Sequence, residues 1–139
     1  MKSKSSTYTG FEFKTDGYPA LAIINADLKD VNKSFYPYSV FITIIPDRYN
    51  ENGHPTDTEY DYLNEVEKKM IDYLEEESTT VHIGHTTVYR AREVIFYTMD
   101  KEKVEDYLEH FLTTIEREYS FETDSDSEWS NVQAFYDLI

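Results

Sequence analysis

The chain has 139 residues, the size of one domain, and its 13 Tyr and 8 Phe within a 40% hydrophobic composition supply enough bulk for a packed core. Its 28 acidic and 13 basic residues leave a net charge of −15, a field that repels nucleic acid and anionic membranes and favours basic partners. The absence of cysteine excludes disulfides, thiolate metal sites, iron–sulfur clusters and cysteine nucleophiles together.

Residues 1–7 read as a flexible polar tail, with a single domain over 8–139. Thr7-Tyr8-Thr9-Gly10 stands where a signal peptide needs an apolar run. No segment approaches the ~18 apolar residues of a membrane helix, so a cytoplasmic protein is expected. Tyr8, Phe11 and Phe13 mark a strand, Asp16-Gly17 a turn, and Ala20-Leu21-Ala22-Ile23-Ile24 a second, buried strand, together a hairpin. A polar connector over 27–37 ends at Pro37. Tyr38 to Ile45 is apolar on both faces, which predicts a central strand ending at Pro46.

A helix is predicted from about Thr58 to Glu77, with Tyr60, Leu63, Val66, Met70, Ile71 and Leu74 as its apolar stripe and Asp57 or Thr58 as its cap. Thr79 to Tyr89 and Arg90 to Thr98 are two β-type runs. The turn between them fits equally near Gly84 to Thr87 or near Tyr89, and the pairing register hangs on that choice. A second helix spans about Lys101 to Glu116, capped by Asp100 and striped by Val104, Leu108, Phe111 and Ile115. Tyr119 and Phe121 mark a short strand and Asp124 to Ser127 a turn. A last helix from about Glu128 to Leu138 carries Trp129, Val132, Phe135 and Tyr136.

The element order predicts an α+β fold: a ferredoxin-like antiparallel sheet (βαββαβ) with an N-terminal β-hairpin and a C-terminal helix. The hairpin extends the sheet or covers its open side.

Sites for chemistry are sparse. His82 and His85 are the close histidine pair, but residues three apart on a regular strand face opposite ways and reach one metal only through an intervening turn. Asn50, Asn52, Gly53 and Glu59 fit positions of a calcium loop, yet Arg48 stands where the first carboxylate belongs. Asp124, Asp126 and Glu128 alternate, a pattern that suits helix capping better than a cation. There is no Gly-x-Ser-x-Gly elbow and no phosphate-binding glycine loop, so no catalytic residue, metal or cofactor is assigned. Tyr89-Arg90-Ala91-Arg92-Glu93 concentrates cations at the start of a strand. On an extended chain Arg90 and Arg92 share a face and, with Tyr89, could take a carboxylate or an acidic segment, or else pair with the domain's own acids. Trp129 and Tyr136 serve either as core or as a docking platform.

In its spaced motifs the chain resembles the bacterial domain-of-unknown-function family 695. These are the Asp16-Gly17-Tyr18-Pro19-Ala20 turn with Asn25 after it, the Gly53-His54-Pro55 loop, and the Arg92-Glu93-x-Ile95-x-Tyr97 strand. The closing Asp126-x-Glu128-Trp129 with Phe135-Tyr136 completes the set. The family brings no catalytic residues. Similar domains look to be fused to a domain like the B-type regulator of ribonuclease E activity, an acidic ferredoxin-like inhibitor; that likeness is one of fold and charge. With the chain closing at Ile139, a second domain of that kind is not expected.

The expectation is a non-enzymatic protein-interaction or regulatory module with a basic protein as partner, without nucleic acid or membrane. The alternatives are a small ligand-binding domain or enzyme using Arg90 and Arg92, and a structural homodimer through sheet edges or the aromatic last helix.

Overall fold

The structure, a computed structural model, describes residues 7–139. Residues 1–6 of the expected tail lie outside the described residues. Thr7 is tied down: its N–H donates to Asp27 Oδ2 at 3.0 Å and its carbonyl accepts from the Ala26 N–H at 2.8 Å.

Six strands, β1 (Tyr8–Thr15), β2 (Tyr18–Asn25), β3 (Tyr38–Ile45), β4 (Thr80–Val88), β5 (Ala91–Thr98) and β6 (Glu118–Ser125), form one sheet in the order β1-β2-β4-β5-β3-β6. Every neighbouring pair is antiparallel. The N-terminal hairpin extends the sheet, because β2 pairs with β4. Among the described residues three α-helices complete this mixed α/β architecture: α1 (Asp57–Leu74), α2 (Lys101–Phe111) and α3 (Gln133–Asp137).

The sheet separates two cores. On one side Val40, Ile42 and Ile44 of β3 meet Leu63, Met70 and Leu74 of α1 and Val104 and Leu108 of α2. On the other, Ile24, Ile83, Ile95 and Tyr97 meet Trp129, Val132 and Tyr136. Each large side chain so buried contributes roughly 1.5–3 kcal/mol. This explains why β3 and β5 are apolar on both faces.

Several boundaries differ from the sequence reading. Helix α1 stops at Leu74, before Glu75, Glu76 and Glu77, whose charges oppose the negative end of the helix dipole. Its N-cap is Thr56, with no side-chain bond, rather than Asp57 or Thr58. Helix α2 ends at Phe111 and tightens into a 3-10 turn over Leu112–Thr114; Glu116, at φ 55°, then breaks the helical path. Strand β6 runs on through Asp124 and Ser125, which pair with Ser39 and Tyr38. The last helix is short because Asp126 turns the chain first. Its carboxylate accepts from the N–H groups of Ser130 and Asn131 at 2.9 and 3.0 Å and from the Tyr97 hydroxyl at 2.6 Å. Trp129 sits at φ 59°, and a 3-10 turn over Ser130–Val132 precedes α3.

The β4–β5 turn falls at Tyr89 and Arg90, with Arg90 at φ 63°. Near Gly84 there is no turn but a β-bulge. His82 opposes Phe96 and Gly84 opposes Ile95, leaving Ile83 as the extra residue. Gly84 has φ 146°, and a Cβ there would lie 1.9 Å from the Ile23 carbonyl oxygen. Only glycine lets β2 close onto β4 at this point.

Candidate functional site

The bulge sets the chemistry. A strand alternates faces, so His82 and His85 would point apart. The extra Ile83 restores parity, and both rings reach the side of the sheet covered by α1. There they meet Glu67, which α1 projects from its buried stripe. His82 Nε2 lies 2.7 Å from Glu67 Oε2, and His85 Nδ1 lies 2.9 Å from Oε1. Arg92 Nη1, from β5, donates to Glu67 Oε1 at 3.1 Å and to Asn64 Oδ1 at 2.8 Å. The Arg92 guanidinium, fully buried, also sits 5.3 Å from the centre of the Tyr60 ring.

Burial pushes the Glu67 carboxyl up, but the hydrogen bonds from His82 and His85 outweigh it and hold the group well below the usual carboxylate range. Burial lowers the Arg92 guanidinium and Glu67 partly restores it. Two donors of this buried guanidinium, Nε and Nη2, have no hydrogen-bond partner among the described residues.

The cluster reaches β1 through Tyr8, whose hydroxyl lies 2.7 Å from His82 Nδ1. Because an ionised carboxylate only accepts, His82 Nε2 donates to Glu67, while Nδ1 faces the Tyr8 hydroxyl. The backbone N–H of His82 donates to Glu75 Oε2 at 3.0 Å. Hydroxyl, imidazole and carboxylate in series have the connectivity of an activated nucleophile. The Tyr8 hydroxyl, however, is pushed up by burial and then by the charges of Glu75 and Glu67, so it stays a protonated donor. Glu67, engaged by three cationic or imidazole groups, is not a free base. Among the described residues no group of three or more His, Asp or Glu is placed to hold a metal ion.

A second buried glutamate anchors the start of α1. Glu59 receives Arg117 through Nε at 3.0 Å and Nη2 at 2.7 Å, and the Asp47 N–H at 2.7 Å. The hydrogen bond from Arg117 is the main reason its carboxyl lies below the usual range. The residue at the twelfth position of the calcium-like loop therefore faces a guanidinium. Asn50 in that loop accepts from the N–H groups of Asn52 and His54, an ordinary turn.

The structure separates the residues singled out from sequence. Arg90 is in the turn, not on the strand, so it does not share a face with Arg92. It lies exposed, 4.7 Å from the Tyr49 ring and 4.9 Å from the Tyr89 ring. Tyr89 stacks on Tyr18 at 4.0 Å, and the Arg90 N–H donates to the Gly53 carbonyl at 2.7 Å. A Cβ at Gly53 would lie 2.4 Å from the Tyr89 ring, so that glycine lets the loop over 47–56 lie against the hairpin. His54 Nε2 reaches the Pro19 carbonyl at 2.7 Å. The Asp16-Gly17-Tyr18-Pro19 turn, the Gly53-His54-Pro55 loop and the Tyr89-Arg90 turn thus gather at one end of the sheet. Trp129 and Tyr136 are core: Trp129 is fully buried and donates from Nε1 to the Tyr36 carbonyl at 3.0 Å, and the Tyr136 hydroxyl donates to the Asn25 carbonyl at 3.0 Å.

A family model described as a family of unknown function (DUF695) matches residues 9–136. The chain belongs to that family. The match takes in the buried residues of both cores, the Glu67 contacts with His82, His85 and Arg92, and the turns at the end of the sheet. No curated protein and no solved structure matches the chain. Among the described residues no helix of this DUF695 domain is long and apolar enough to cross a membrane.

Proposed function

We propose that this DUF695 domain is a cytoplasmic, non-enzymatic interaction module that binds and regulates a basic partner protein. The observation that carries the reading is where the charges go. Arg92 and Arg117 serve the buried Glu67 and Glu59, while Lys33, Lys101 and Lys103 are half-buried. Among the described residues, twenty-two acidic side chains are exposed against six cationic ones. Among the described residues the exposed acids thus outnumber the exposed cations by sixteen, so the surface presents essentially the whole charge imbalance to a partner. The strand order β4-β5-β3-β6, with α1 and α2 as crossovers, supports reading the central unit as ferredoxin-like with an added hairpin. An acidic decoy for a basic nuclease or toxin is one concrete form. Affinity capture with the tagged domain at low and at high salt tests the reading. One stoichiometric basic protein, lost at high salt, is expected; capture unchanged by salt would overturn it.

A second reading, a small-ligand site at Arg92 that opens only when the covering helix shifts, is favoured by the Nε and Nη2 donors left without a partner among the described residues, the edge with which guanidinium grips a carboxylate in parallel. It expects acetate or succinate to raise the melting temperature of the native protein but not of Arg92→Lys, which keeps the charge and loses the fork. Equal response of the two proteins would remove it.

A further inference from the structure

The outer surface between α1 and α2 carries an open aromatic groove. It measures about 690 Å³ and is lined by Tyr73, Lys103, Asp106, Tyr107, His110 and Phe111. Its rings are stacked nearly parallel, Tyr73 on Tyr107 at 4.1 Å and 7°, and Tyr107 on Phe111 at 5.3 Å and 9°. Phe111 and Tyr107 pack partly into the core, whereas Tyr73 is 46% exposed. Exposed carboxylates border the stack, Asp106 in the lining itself and Glu77 through its pair with the lining Lys103.

We propose that this groove is where the basic partner docks, and that the partner presents an amphipathic helix bearing arginine. The inference rests on the interaction reading above and gives it a location. The domain already shows the contact in miniature: Lys103 Nζ lies 5.9 Å from the Tyr73 ring centre while pairing with Glu77 at 2.8 Å. A guanidinium stacks flat on tyrosine and still donates to a carboxylate at its edge, which an ammonium does less well. A strip of rings between two helices with acidic rims fits a helix laid in a groove. Nucleobases also stack on such rings, but the net charge of −15 opposes their phosphates.

The test uses the full chain, isotope-labelled for NMR, and two peptides of identical leucine–arginine composition, one amphipathic as a helix and one scrambled. The amphipathic peptide should shift the Tyr73, Tyr107 and Phe111 rings and bind about tenfold tighter than the scrambled one. Tyr73→Ala, at an exposed position, should abolish that advantage, and Asp106→Asn should reduce it. Equal binding of both peptides, unchanged by Tyr73→Ala, would overturn the location and leave the acidic-module reading standing. No binding of either at low salt would overturn both. Binding of oligouridine instead, sensitive to Tyr73→Ala, would replace the peptide with single-stranded nucleic acid.

Discussion

His82 and His85, three residues apart on one strand, place ring nitrogens 2.7 and 2.9 Å from the same Glu67 carboxylate. They do so because Ile83 is the extra residue of a β-bulge. Glu67 in turn neutralises Arg92, a guanidinium with no exposed surface. Glu67→Gln keeps the shape and removes the charge, leaving the cation uncompensated. The expected cost is about 3–5 kcal/mol, read from urea unfolding. The Glu67 carboxyl lies below its ordinary value of 4.5, so its contribution is present above that pH and is lost as pH falls below it. The wild-type protein should therefore lose stability on acidification below about pH 4.5 more steeply than the Gln variant. Parallel slopes would refute the assignment.

Gly84→Ala places a methyl against the Ile23 carbonyl, where β2 and β4 pair through Ile24 and Gly84. The variant should lose more than about 1 kcal/mol. Amide exchange should accelerate first along β1 and β2, since their hairpin joins the sheet through β4 alone. Uniform acceleration over all six strands would count against that order.

Trp129 is the sole tryptophan of the chain and is fully buried against Tyr97, 4.6 Å between ring centres. Its fluorescence should be blue-shifted and resistant to iodide. Trp129→Ala should cost about 3–5 kcal/mol. Ready quenching in the native protein would show that the second core is open.

Glu93 faces the opposite side of the sheet from Arg92. Burial, then the neighbouring Glu122, raises its carboxyl above the ordinary 4.5. A raised carboxyl costs stability once it must ionise: there is no cost below the unfolded value, and it grows as pH rises through the folded one. Glu93→Gln should melt at a higher temperature than the wild-type protein at pH 7, with the gain vanishing below about pH 4.5. A lower melting temperature at neutral pH would show a favourable role for the charge.

Periodicity made the sheet and the two long helices legible, because the apolar stripes of α1 and α2 and the two-faced β3 follow directly from burial. It failed where one residue overrides the period. Nothing about Ile83 marks it as a bulge, and the one signal nearby was Gly84, a glycine inside a β-type run. On a regular strand the two histidines diverge, and without the bulge Glu67 reads as one more acid on a helix. Arg92 was singled out for its setting among apolar residues. Arg90 shares its face only on an extended chain, and the backbone turns there. Trp129 and Tyr136 could be weighed only as core or platform, since the carboxylate of Asp126 that folds them inward acts through tertiary contacts.

The second core joins the two ends of the chain. Tyr136 donates to the carbonyl of Asn25, and Trp129 and Val132 cover Ile24 and Ile95. During synthesis the sheet can pair and α1 and α2 can dock while this other face is still bare. Until the segment through Tyr136 has left the ribosome, Ile24, Ile83, Ile95 and Tyr97 stay open to solvent. The nascent domain thus shows this face to mispairing and to chaperones from the pairing of its sheet until the Trp129–Tyr136 segment arrives, and closure is expected to be its late step.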